Sequence, residues 1–191
     1  MGTYIDFETN SEVTDVLFQI ISGTVSVKEI VKALSQPQST VSSKLQFLRD
    51  VGVVDKVKWE YRPNYNKLVG ICGKIFRDIL KNEIEFREFN KKYVNPQKKK
   101  EIEDSIEGLK NIIKKSSNYI SRPLFKKILQ TASWFYPKLN CKVSLYEVIE
   151  NFYLGMIGTT EKIDDNRLSE MKNLIGRVYS KNELFFLSSV K

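Results

Sequence analysis

The chain has 191 residues, of which 41% are hydrophobic and 28% charged, with a formal net charge of +8. Those proportions belong to a soluble globular protein, long enough for one sizeable domain or two small ones. No apolar run approaches the roughly 20 residues that would span a bilayer, and the absence of histidine removes the commonest general base and metal ligand.

The first residues, MGTYIDFETNSEV, lack the basic-then-apolar order of a signal peptide. Met1-Gly2 is followed by Asp6 where a myristoylation signal carries Ser or Thr. Cys72 and Cys141 do not amount to a disulfide framework, so both are read as reduced thiols and the protein as cytoplasmic.

From Glu12 to Ile21, residues Val13, Val16, Leu17, Ile20 and Ile21 fall at i, i+3, i+4, i+7 and i+8, and Gly23 follows. That is an amphipathic helix with a glycine stop. Ser26-Val27-Lys28-Glu29 then forms a capping box, in which the Ser and Glu side chains satisfy N–H groups at a helix start. Ile30, Val31 and Leu34 give this second helix one short apolar face. Ser35-Gln36-Pro37 interrupts it, because Pro37 disfavours helical geometry in the residue before it. A third helix follows, with Val41, Leu45 and Leu48 at i, i+4 and i+7, Phe47 and Val51 beside them, and Gly52 at its end. Two short helices joined by a tight turn make a helix-turn-helix.

Turning that apolar stripe inward leaves Thr40, Ser42, Ser43, Lys44, Gln46 and Arg49 outside, with only Asp50 acidic nearby. Such a face suits the DNA major groove, where Gln pairs with adenine, Lys with guanine, and Ser or Thr with a base or a phosphate. Composition by itself favours a plainer explanation, a solvated polar face on a helical hairpin.

Gln38-Ser39-Thr40-Val41-Ser42, followed by Leu45, Leu48, Gly52, Val53 and Val54, resembles the recognition helix of ArsR/MarR-type winged helix-turn-helix transcriptional regulators of archaea and bacteria. The resemblance covers about Glu12 to Leu68. It implies a recognition helix that reads DNA through Gln38, Ser39, Thr40, Ser42, Ser43, Lys44, Gln46 and Arg49. It also implies a β-wing directly after that helix. Val57, Trp59 and Tyr61 alternate with Lys56, Lys58 and Glu60, which reads as a strand and, in the family, as the first arm of the wing. The Gly-rich hairpin tip of the family is missing. Pro63, Asn64 and Asn66 supply the only turn chemistry, so a short wing is expected, with Lys56, Lys58 and Arg62 against phosphates. The winged domain is assigned to residues 1–67.

Beyond it, Leu68, Ile71, Cys72, Ile75, Phe76, Ile79 and Leu80 form a long apolar stripe, continued less regularly by Phe86, Phe89 and Tyr93. Asn64 or Asn66 is the candidate cap. Cys72 lies within the stripe and reads as a buried structural thiol. Helices in this position usually build the dimer interface of the family. Asn95-Pro96 breaks the chain. Pro96 suits a first helical position, and Lys98-Lys99-Lys100 follows in the first turn, against the helix dipole. Ile102, Ile106, Leu109 and Ile113 repeat at heptad-like spacing, a seam of about two heptads.

The final third reads as three more helices. One starts at Pro123 and stops at Pro137, and a second opens on the capping box Ser144-Leu145-Tyr146-Glu147. A third runs through Leu168, Met171, Leu174, Ile175 and Val178 behind Asp164 or Asp165, and the apolar tail Leu184-Phe185-Phe186-Leu187 closes the chain. SLYEVIENF parallels SVKEIVKAL, so residues 122–191 could also be a degenerate second winged helix.

Charge is unevenly spread. Residues 1–35 carry two Lys and five acids (−3), 36–70 six basic and three acidic (+3), 71–130 fifteen and eight (+7), and 131–191 eight and seven (+1). The excess therefore lies mostly outside the helix-turn-helix, as a second phosphate contact or a solvated basic surface. No Gly-rich phosphate loop, CxxC motif or carboxylate pair suggests an enzyme, and two isolated cysteines do not suggest a metal site or a cofactor.

The expected fold is mainly α, an N-terminal winged helix-turn-helix with a short β-wing followed by a helical C-terminal region. The expected function is sequence-specific binding of double-stranded DNA by a homodimeric transcriptional regulator, with residues 68–191 as dimerisation, effector or protein-partner region. The alternative is a winged-helix module that binds protein without specific DNA binding, since fold alone does not assign function.

Overall fold

The computed structural model describes residues 7–116, 121–139 and 142–157. Within them lie helices α1 (Ser11–Ile21), α2 (Val27–Leu34), α3 (Gln38–Asp50), α4 (Tyr65–Asn90), α5 (Pro96–Ser116), α6 (Ser121–Phe135) and α7 (Leu145–Ile157). One hairpin, β1 (Val54–Val57) and β2 (Glu60–Pro63), stands between α3 and α4. The fold is thus mainly α, a helix-turn-helix region followed by a two-stranded antiparallel wing and further helices. The chain forms two compact units, Met1–Cys72 with Arg122–Ile149, and Gly73–Ser121 with Glu150–Lys191.

The first unit is assembled from local signals. Asn10 caps α1 by accepting the Glu12 N–H at 3.0 Å, occupying one of the helix's free donors. α1 is covered almost all round, with Val13, Thr14, Val16, Leu17, Phe18, Ile20 and Ile21 buried, more than a single stripe. The capping box of α2 is complete. Ser26 Oγ accepts the Glu29 N–H at 3.3 Å, and the Glu29 carboxylate accepts the Ser26 N–H at 3.2 Å. Hydrogen bonds from the Ser26 side chain and then its backbone hold the Glu29 carboxyl below the usual range. Ser35 ends α2 in the left-handed conformation at φ 52°. Pro37 then opens α3, which turns Val41, Leu45 and Leu48 into the core. Gly52 follows at φ 75°, a conformation that L side chains seldom adopt.

The same unit gains α6 and the start of α7. Phe125, Ile128, Leu129, Ala132, Phe135 and Tyr136 are buried, and Tyr136 stacks on Phe18 with ring centres 6.2 Å apart. Lys142 reaches Glu12 at 2.8 Å, and that hydrogen bond and charge hold the Glu12 carboxyl below its ordinary range. α6 begins at Ser121, two residues ahead of the expected Pro123, which sits in the first turn where no N–H is needed. The second capping box forms as read: Ser144 Oγ accepts the Glu147 N–H at 3.2 Å and Glu147 accepts the Ser144 N–H at 2.6 Å.

Asn64, of the two candidates, caps α4, accepting the Lys67 N–H at 3.1 Å. Cys72 is buried at the end of the first unit's share of α4, and desolvation pushes its thiol up to about 12.

In the second unit, Ile75, Phe76, Ile79 and Leu80 of α4, Ile106 and Leu109 of α5, and Phe152 and Tyr153 of α7 are buried. Phe76 and Tyr153 meet edge to face at 6.3 Å. Asn95 caps α5 through the Lys98 N–H at 2.9 Å, with Pro96 at its first position. Arg87 bonds Glu83 at 2.7 Å and donates to Ser105, while Lys91 reaches both Glu88 (3.2 Å) and Glu103 (3.3 Å). The apolar stripe of α4 stops being buried after Leu80: Phe86, Phe89 and Tyr93 are exposed, the last two with rings 5.3 Å apart.

The expected helix through Leu168 to Val178 and the apolar tail at 184–187 lie outside the described residues, as does most of the segment read as a second winged helix. Among the described residues no helix is long and apolar enough to cross a membrane.

Candidate nucleic-acid interface

The site is a ridge on α3 with a hairpin beside it. Val41, Leu45 and Leu48 point inward, which turns the opposite face of the helix to solvent. Gln38, Ser39, Thr40, Ser42, Ser43, Gln46 and Arg49 are all exposed. The N-cap position of α3 is Pro37, which makes no side-chain cap bond, and no acidic residue lies in the first turn. The helix therefore presents its first N–H groups and its positive dipole end beside Ser39 and Thr40, an arrangement that suits a phosphate oxygen.

Along the ridge, Gln46 donates to Asp50 at 2.7 Å and accepts from Arg49 at 3.3 Å. These are exposed i, i+4 and i, i+3 contacts, individually weak, which set the two long side chains side by side. Gln46 retains one amide hydrogen for a base edge, and Arg49 retains most of its guanidinium donors.

Lys44 departs from the expected face. Its ammonium lies 2.8 Å from Asp15 Oδ2 of α1 and 3.1 Å from Gln36 Oε1, and its side chain is only 11% exposed. Asp15 also accepts from Gln36 Nε2 and from the Val16 N–H, each at 2.6 Å. Lys44 thus ties α1, the turn and α3 together. Its position on the helix, one residue before Leu45, tilts it toward α1 rather than away, and a largely buried carboxylate there claims its charge.

The hairpin also differs from the expected strand. Val57 to Tyr61 is not one strand. The strands pair from Val54↔Pro63 to Val57↔Glu60, so Lys58 and Trp59 form a two-residue tip. Lys58 takes φ 57° without being glycine, a conformation that costs on the order of 1 kcal/mol and is held by the pairing on either side. The hairpin is anchored at its base. The Val53 N–H donates to Leu48 at 3.0 Å, the Asn64 N–H to Val53 at 2.9 Å, and the Tyr61 N–H to Val25 at 2.8 Å. Tyr61 is buried, whereas Lys56, Lys58, Trp59 and Arg62 are exposed. Arg62 pairs with Glu60 at 2.7 Å, and the Lys56 ammonium stands 5.6 Å above the Tyr61 ring. Of the three wing cations, Lys58 at the tip is the most prominently placed for a phosphate.

No three His, Cys, Asp or Glu side chains gather as a metal site would require among the described residues.

Residues 10–56 match the family model of the bacterial regulatory protein, arsR family. No curated protein and no solved structure matches the chain. The matched span runs from the cap of α1 to the first strand of the wing, and it supports a DNA-binding transcription regulator. Residues 10–56 therefore form an arsR-type helix-turn-helix, completed in this chain by a short antiparallel wing.

Proposed function

We propose that the protein is a sequence-specific regulator of transcription that sets α3 in the DNA major groove and the wing along the neighbouring backbone. The observation that carries this reading is the ridge of Ser39, Thr40, Ser42, Ser43, Gln46 and Arg49, hydrogen-bonding groups aligned on one exposed face of a helix whose opposite face is the core. Gln46 is the candidate for bidentate contact with adenine, and Arg49 for guanine or phosphate. Ser39, Thr40 and the free helix N-terminus fix the register on phosphates.

The regulator acts as a homodimer. Most of the two apolar stripes after residue 66 is buried within the chain, which leaves Phe86, Phe89 and Tyr93 as the apolar surface for a second copy. Two copies would read a two-fold symmetric site with half-sites about one helical turn apart.

The test is a mobility-shift assay with the DNA upstream of the protein's own coding sequence and a scrambled duplex of equal length. Discrimination between the two, together with a dimeric mass by light scattering, supports the reading. Equal affinity for both, or none, assigns the fold to protein binding instead.

A further inference from the structure

We propose that the outer face of α6 is a docking surface for an acidic peptide segment of another protein, one that carries an apolar residue among its carboxylates. This goes beyond the DNA-binding reading and stands on a different element of the first unit.

The first observation lies in the sequence. Residues 122–146 hold five basic residues, Arg122, Lys126, Lys127, Lys138 and Lys142, and no acid. Surface helices ordinarily mix the two signs, because like charges three or four residues apart are destabilising. Of these cations, Lys142 is claimed by Glu12 at 2.8 Å. Lys126, Lys127 and Lys138 are exposed. Lys127, Gln130, Trp134 and Lys138 follow one another at steps of three and four residues, on the side of α6 away from buried Phe125, Ile128, Leu129 and Ala132.

The second observation is how two of the cations are held. Lys138 Nζ stands 3.4 Å above the Trp134 ring, and Lys126 Nζ 4.9 Å above that of Tyr65. A ring face orients an ammonium without cancelling its charge. Both remain positive and placed for a carboxylate.

The third is the apolar content and size of the strip. Trp134 is 53% exposed, and Pro123 and Pro137 are exposed beside the same cations. Tryptophan is enriched where proteins bind one another. α6 has 15 residues, about 22 Å at about 1.5 Å per residue, and a helix is about 10 Å across. That strip is too narrow for a folded partner, which needs about 800 Å² on each side, but it takes a peptide segment. A nucleic-acid base stacking on the ring face under Lys138 would have to displace the ammonium. A carboxylate meets the ammonium where it stands, and an apolar neighbour lies against the indole.

The experiment follows the fluorescence anisotropy of a labelled peptide of about ten residues, Glu and Asp around a central Leu-Phe pair, titrated with the full chain. A second peptide with Gln and Asn in place of the acids is the neutral control. K126Q/K127Q/K138Q and K98Q/K99Q/K100Q remove the same charge from two places. The first is expected to bind the acidic peptide about tenfold more weakly, and the second within about twofold of the parent. W134A should bind about threefold more weakly, with W134F recovering most of the loss. Melting temperatures should coincide, because the replaced side chains are exposed. Equal weakening by the two triple variants, equal binding of the neutral peptide, W134A as tight as the parent, or no peptide binding at all overturns the proposal. So does displacement of the peptide by unlabelled duplex DNA if K126Q/K127Q/K138Q also loses the duplex, since the face then takes nucleic acid. A parent chain that binds the peptide but shifts no duplex sinks the DNA-binding reading alone.

Discussion

The helix-turn-helix with its wing and the second unit differ in how much positive charge they carry and in how it is arranged. Residues 36–70 carry a modest net +3, yet the exposed donors of α3 lie in one row and its first turn holds no acid. Residues 71–130 carry +7, the larger excess, but Lys81, Arg87, Lys91 and Lys110 are tied to Asp78, Glu83, Glu88 and Glu103 on neighbouring turns and on α5. Such exposed pairs contribute little stability, commonly less than about 1 kcal/mol each. They hold those four cations, while the fifteen basic residues of the segment still outnumber its eight acids.

The contrast is broken most forcefully by removing the row itself. Replacing Gln46 and Arg49 together with Ala should weaken specific binding by about 1–3 kcal/mol for the base edge Gln46 leaves unread, beyond a smaller loss on scrambled and upstream DNA alike from the Arg49 phosphate contact. Circular dichroism should show an unchanged fold, since both side chains are exposed.

Lys44 sharpens it from the other side. Lys44→Met should cost about 1.5–3 kcal/mol of folding stability, the range for a hydrogen bond to a charged group, and Asp15 would be left short of a partner. The readout is urea denaturation. A double-mutant cycle with Asp15→Asn should return a coupling well above that of the exposed pair Arg62–Glu60. A variant that loses DNA affinity at unaltered stability would instead return Lys44 to the reading face.

Cys72 distinguishes structural burial from surface chemistry. Its thiol is pushed up to about 12 in the folded protein, so the neutral form is kept and stability falls only as pH rises past the ordinary thiol range of about 8.5. At pH 8 an alkylating reagent should leave Cys72 unmodified in the native protein and label it in urea, as judged by peptide mass mapping.

The smallest effect is expected from Lys98, Lys99 and Lys100. Their replacement by Gln should lower affinity for every duplex alike and by less than about threefold, as exposed charges that touch no phosphate and are screened by salt do.

What the sequence disclosed and what it hid differ by range. The helix starts were legible because caps are local: Ser26 with Glu29, Ser144 with Glu147, and Asn64 ahead of α4 each act across three residues. The arsR-type motif was legible for the same reason, its stripe and stop lying within one helix. The wing tip was not. Lys58-Trp59 contains no Gly, Asn or Asp, and Val57, Trp59 and Tyr61 alternate as a strand would. Only pairing against β2 reveals the turn. The tie between Lys44 and Asp15 was hidden by a separation of 29 residues, which no spacing rule spans. The two aromatic residues of α4 beyond Leu80 continue the stripe in sequence but stay exposed, because burial depends on what packs against a stripe and not on its spacing.

The central claim is that the row on α3 and the wing, rather than the more basic second unit, meets DNA. It is tested most directly by titrating the upstream and scrambled duplexes at several salt concentrations. With Lys44 held by Asp15, each protomer offers Arg49, Lys56 and Lys58, about six phosphates for a dimer, which gives log K against log salt a slope near −5. The expected result is that slope, a preference for the upstream duplex, and no change in the slope when Lys98 to Lys100 are replaced. A flat slope without discrimination, or a slope that collapses only in the Lys98–Lys100 variant, would contradict it.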